Sequence, residues 1–297
     1  MNTPNPFLEI ARQGRNEWWR YVTGMGVIFI CWTGGQVALT LPLLLSGTDA
    51  THADLLLLTA LLLSFVPALV AVAVVVRLLH GRPFLSLVTP YKQVRWGRVA
   101  LGFGAWLVLA TVAAAIEAIL YPGRYQPTSE PLSVLPFLLV AALLIPVQAG
   151  TEELVYRGYL LQGMGLLFRQ PLLLATLNGA LFALPHAANP ETSVSLLKAL
   201  SLYFLAGFFW ALVTLRSGTL ELAWGAHAAN NFFTVVVANY ETTALPSHSF
   251  FVIQVIDINY QLLTILIGMG LFYLLLARPA RHETAPELLE CEDVEAR

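Results

Sequence analysis

Apolar residues run along this chain in long unbroken stretches, without the alternation of a half-buried strand or the single stripe of a soluble helix. Segments free of Asp, Glu, Lys and Arg fall at 21–48, 55–76, 99–116, 131–151, 170–190, 199–215, 222–240 and 258–277. A bilayer crossing takes roughly 17–25 apolar residues in helical form. The pattern therefore predicts an all-α, polytopic membrane protein with about eight transmembrane helices. The first stretch follows about twenty residues that include Trp18 and Trp19, and it is too long for a signal-peptide core, so it is expected to be retained.

The polar positions between the stretches set the orientation. With the N-terminus inside, cytoplasmic segments hold fourteen of the sixteen basic residues, leaving Arg124 and Lys198 outside. Such a bias places both termini in the cytoplasm. Segment 81–98 is the longest basic loop and is expected to lie along the inner leaflet. No internal repeat or soluble domain is visible. Residues 1–277 read as one membrane-embedded domain, and 278–297, polar and acidic, as a disordered cytoplasmic tail.

Composition sharpens the class. The chain is 57% apolar and 11% charged, with a mean hydropathy of +0.70, whereas a soluble domain carries about 25% charged residues. A net charge of −2 argues against nucleic acid as a partner. Cys31 and Cys291 suggest no disulfide framework. The expected location is the cell membrane, as a multi-pass protein.

Within these apolar stretches three polar clusters stand out, because polar and ionisable groups in a membrane span are costly and mark function. The first is Glu152, Glu153 and Arg157 in GTEELVYRG. Glu153 and Arg157 have the i,i+4 spacing of a helical ion pair. Glu152 points about 100° away, on the face of Gln148 and Tyr156. The second cluster, Asn178, Phe182 and His186, recurs at i, i+4 and i+8 on one helical face. The third, Trp224, His227 and Asn231, shares a face at i, i+3 and i+7, with Asn230 beside it. A turn at Arg169–Pro171 leaves Glu152 and His186 each seventeen residues away, at one level about 25 Å from the turn at 1.5 Å per residue. His227, eight residues from the charged segment at Arg216–Leu220, is expected at a comparable depth. Pro146 and Gly150 are candidate kink points.

Glu152-Glu153-x-x-x-Arg157, then Phe182-x-x-x-His186, then His227-x-x-x-Asn231, resemble the motifs of the CAAX-protease and bacteriocin-processing (CPBP, or Abi) intramembrane peptidases. The resemblance covers about residues 130–240. It implies an intramembrane endopeptidase in which a glutamate-activated water attacks a peptide bond of a membrane-associated or lipidated substrate. Glu152 and His186 would act on the water, His227 and Asn231 on the oxyanion, and Glu153, Arg157 and Phe182 would support them. The residue types suit that chemistry, which needs a base, a proton donor for the leaving amine and donors aimed at the oxyanion. No serine or cysteine accompanies the histidines in a nucleophile motif. Glu152, His186 and His227 also match the ligand set of some catalytic zinc sites, but no HExxH helix is present, and a metal-free mechanism is preferred. The site is expected to open towards the cytoplasmic half of the membrane. Two rival readings are a non-proteolytic immunity or scaffold protein of the same fold and a proton-coupled transporter. The substrate and the oligomeric state are not specified by the sequence.

Overall fold

The computed structural model describes residues 5–46, 50–278 and 289. Eight helices build the bundle. They are α1 Trp18–Leu45, α2 Ala53–Leu78, α3 Trp96–Leu120, α4 Pro131–Gly165, α5 Pro171–Ala188, α6 Leu196–Ser217, α7 Glu221–Phe232 and α8 Ile258–Leu276. All but α7 are long and apolar enough to cross a membrane, which makes seven such helices among the described residues. The expected eighth span is helical too, but α7 is short and continues to Val237 as a π-helix.

α7 is short because it is the bundle's central element. Glu221, Leu222, Ala223 and the run from Gly225 to Ala229 are all buried in it. Its small residues let backbones meet, the usual device of membrane helix packing. A Cβ on Gly225 would stand 2.0 Å from the Val99 carbonyl of α3, and one on Gly102 would stand 2.4 Å from the Leu222 carbonyl. On its other sides Ala228 joins Ile145 and Ala149 of α4 in one apolar cluster. Ala223, Ala226 and Ala229 pack with Trp106, Trp210 and Phe272 in another.

Contacts between connections define two ends of the bundle. At the end holding the termini, Arg15 N–H donates to His80 O, the Asn5 amide donates to Leu215 O, and Leu220 N–H donates to Val88 O. The segment expected to lie along the inner leaflet instead folds into this end. Ser86, Leu87, Val88 and Thr89 are buried, and the Leu87 carbonyl would lie 2.9 Å from a Cβ on Gly158. Arg82, also buried, bonds Ser86 and Gln162. Glu221, fully buried at the start of α7, gathers Arg95 at 3.0 Å and Arg98 at 3.4 Å. α7 thus begins inside the protein, so a histidine six residues along it reaches the depth of Glu152.

The opposite end carries a small sheet of β1 Tyr125–Pro127, β2 Ala238–Asn239 and β3 Phe251–Ile253 in the order β1-β3-β2. β1 pairs antiparallel and β2 parallel to β3. Arg124 bonds Glu117 at 2.6 Å and Asp257 at 3.0 Å beneath it. Of the expected tail, Arg278 and Leu289 are described, and Leu289 N–H donates to Pro90 O. The remainder of 278–297, Cys291 included, lies outside the described residues.

Candidate active site

Glu152 and Glu153 close the regular part of α4, and the chain goes on as a seven-residue π-helix, Leu154–Leu160. Such widened turns concentrate at functional sites. This one holds Arg157, which the count of loop charges assigned to the cytoplasm and which is in fact fully buried in the bundle. Arg157 Nη1 lies 2.9 Å from Glu153 Oε1, with neither side chain exposed. The contact is ionic rather than a well-directed hydrogen bond. The guanidinium also lies 4.6 Å from the centre of the Phe182 ring, and Nη2 reaches the Ala206 and Gly207 carbonyls.

His227 stands between the two carboxylates. Its Nδ1 is 2.8 Å from Glu153 Oε1 and its Nε2 is 3.3 Å from Glu152 Oε2. A neutral imidazole carries a single N–H. Two acceptors facing two ring nitrogens therefore need one further proton, on the ring or on Glu152. Sequence reasoning gave Glu153 the Arg157 partner and missed His227, because a contact between helices has no spacing signal.

Asn231 Nδ2 donates to Gln148 Oε1 at 2.9 Å, one turn before Glu152 on α4. Asn230 turns aside, accepting from Trp106 Nε1 at 3.2 Å and donating to Asn231 Oδ1 at 3.3 Å. Trp224, expected on the face of His227 and Asn231, lies elsewhere. Its Nε1 donates to Pro146 O at 2.9 Å and its ring covers Gly150, where a Cβ would come within 2.7 Å of it. Gln148 shares the face of Glu152, as its i−4 spacing indicates, and the role it has here, accepting from Asn231, carries no spacing signal.

The regular helix of α5 stops at Ala183, and His186 sits in a 3-10 turn, Pro185–Ala188. It keeps the face of Phe182. His186 Nδ1 is 2.7 Å from Phe182 O, so Nδ1–H donates and Nε2 stays available. The imidazole is sandwiched by the Phe182 ring at 4.6 Å and the Tyr203 ring at 4.2 Å. Phe182 also reaches His227, at 5.9 Å between centroids. Asn178, the third member of that face, is buried and donates to Tyr156 O.

Glu152, His186, His227 and Asn231 all line one cavity of about 620 Å³, which Asn230 and Gln148 also border. Asn189, Tyr240 and Ala244, from connections at the sheet end, line it as well. No residue of the 81–95, 166–170 or 218–220 connections does, among those described. The cavity thus reaches towards the sheet end, and none of the described residues of the terminal-end connections borders it. With regard to zinc, no three His, Cys, Asp or Glu side chains among the described residues are arranged to hold a metal ion.

The sequence model of the family described as type II CAAX prenyl endopeptidase Rce1-like matches residues 131–233, the stretch that contains all three clusters. The chain is also 34% identical over 235 residues to the uncharacterized protein YyaK of Bacillus subtilis (strain 168), spanning 74% of this chain and 78% of YyaK. No solved structure matches.

Proposed function

This chain belongs to the Rce1-like, type II CAAX prenyl endopeptidase (CPBP) family, and from that premise we propose that it hydrolyses a peptide bond of a membrane-associated or lipidated substrate through a water activated by Glu152 and His186. The observation that carries this reading is the meeting of Glu152, His227 and Asn231, from two helices, on the wall of one cavity that His186 also lines.

Glu152 accepts the proton of a water held between it and His186, whose free Nε2 faces the same reaction. The water oxygen attacks the scissile carbonyl carbon and the carbonyl electrons move onto oxygen. His227 Nε2–H and one Asn231 N–H take that oxyanion, donors held in place before the charge develops. The second Asn231 N–H stays with Gln148. As the C–N bond breaks, Glu152 returns its proton to the leaving amine. Glu153 is a positioning residue. Its carboxylate fixes the His227 ring through Nδ1 and supports a proton on Nε2, while Arg157 balances the charge.

No step in this scheme passes through a metal. The test is cleavage of a lipid-anchored peptide pool by purified protein in liposomes after thorough chelation. We expect turnover that survives chelation and vanishes in Glu152→Gln. One tightly held zinc per chain, lost together with activity in His186→Ala, would overturn the metal-free scheme.

A further inference from the structure

The charged side chains that line the cavity, among the described residues, are three carboxylates, Glu117, Glu152 and Glu191, and no lysine or arginine. Two of them are answered from within the protein. Glu117 holds Arg124 at 2.6 Å and the Tyr125 hydroxyl at 2.7 Å, and Glu152 faces His227. Glu191 differs. Its Oε1 accepts from Ala244 N–H at 2.7 Å and from the Tyr240 hydroxyl at 3.5 Å, both neutral donors. Its Oε2 is buried and has no hydrogen-bond partner. Burial, and then the Glu191 charge, push the Tyr240 hydroxyl far above its ordinary value, so that it stays a donor.

A buried carboxylate oxygen without a donor is costly, and such groups are paired unless function requires otherwise. The Oε1 contacts hold one side of the carboxylate, which leaves Oε2, covered in this structure, without a donor beside the cavity that Glu191 lines. Glu191 follows His186 by five residues, in the 3-10 turn Pro190–Ser193 that leads out of the site. We propose that Glu191 is a substrate-selecting residue that pairs with a cationic group of the peptide, a lysine or arginine side chain or a free amino terminus, at a fixed distance from the scissile bond. The inference rests on the peptidase reading and adds the preference of the same site. Charge-assisted hydrogen bonds are the strong ones, and a cavity lined by carboxylates alone favours cations over its whole path.

The test uses a palmitoylated decapeptide library, randomised in sequence, in two forms with free and with acetylated amino termini. The full-length protein in liposomes is given each form and the products are sequenced by mass spectrometry. Wild type should enrich Lys or Arg at one fixed position, or else show a matching preference for the free terminus, by about 10-fold or more, as expected for a hydrogen bond to a charged group. Glu191→Gln keeps an acceptor for Ala244 and should flatten that preference. Glu191→Lys should turn it towards Asp and Glu. A purely structural Glu191 would lower all peptides alike and leave the preference unchanged. No cationic preference in wild type, or the same preference in all three proteins, overturns the inference while leaving the peptidase reading intact. If nothing is cleaved, capture of the same library by Glu152→Gln protein reads the preference as binding. Cationic enrichment there that depends on Glu191 would support the subsite while the peptidase reading fails. Capture without such enrichment would overturn the subsite too.

Discussion

At the scale of single residues the two adjacent glutamates are separated by their partners rather than by their chemistry. Glu153 lies between Arg157 and His227 with no exposure, whereas Glu152 borders the cavity. Glu153→Gln removes one member of a buried ion pair and strands Arg157, which costs about 3–5 kcal/mol. Thermal unfolding in detergent should show that loss, together with reduced turnover as His227 loses its support. An unchanged melting temperature would contradict the pairing. Asn231→Ala should lower kcat by roughly 10²–10³ with little change in KM, the usual cost of one oxyanion donor. Asn230→Ala should act mainly on stability, since Asn230 accepts from Trp106 and its one bond to Asn231 is a 3.3 Å contact to the amide oxygen, leaving the Asn231 donors in place. Steady-state kinetics giving the reverse would show that the wrong amide has been assigned. The pairs within one helix, Glu153 with Arg157 and Phe182 with His186, were legible from i,i+4 spacing. The bridge from Glu153 to His227 was not, because no local pattern records which helices will be neighbours.

At the scale of elements the seven long helices were legible from charge-free length, and the departures come from backbone detail. α7 is shorter than its apolar run because the chain passes into a π-helix at Phe233 and into β2 at Ala238. Both π-helices, Leu154–Leu160 and Phe233–Val237, flank site residues and carry no composition signal, since a one-residue change of register leaves an all-apolar pattern looking the same. The loop after α2 was read as a surface segment from its charges, yet it is anchored inside. His80 in that loop is buried, its Nδ1 bonded to Arg15 O at 2.7 Å and its Nε2 to the Tyr159 hydroxyl at 2.8 Å. Burial, reinforced by Arg82 and Arg20, holds its pKa below the ordinary value. Its folded pKa is thus lower than its unfolded one. The stabilisation is complete above the unfolded value of about 6.5 and is lost as pH falls through the folded value. Melting temperatures between pH 8 and pH 5 should fall further in wild type than in His80→Gln. Parallel curves would contradict the assignment.

At the scale of the whole molecule the cavity extends to the sheet of β1, β2 and β3, whose Tyr125, Ala238 and Ile253 border it. Counted from the sequence with Arg157 set aside, thirteen of the sixteen basic residues fall in segments expected on the side of the termini, and on that bias we propose that this side is cytoplasmic. Membrane-impermeant labelling of single cysteines, in a background lacking Cys31 and Cys291, should therefore modify position 126 from outside the cell and leave position 90 protected. Labelling at 90 and not at 126 would invert the orientation. The burial of residues 86–89 escaped the sequence because they look like an ordinary loop.

The central claim is that Glu152 activates a water for peptide hydrolysis within the membrane, and it can be read without knowing the substrate. Membranes from cells lacking the protein, complemented with wild type or with Glu152→Gln at equal abundance, are compared for peptide termini by mass spectrometry. The account predicts a set of new termini in membrane-associated peptides that appears with wild type and is absent with Glu152→Gln. The same set of termini in both would contradict it.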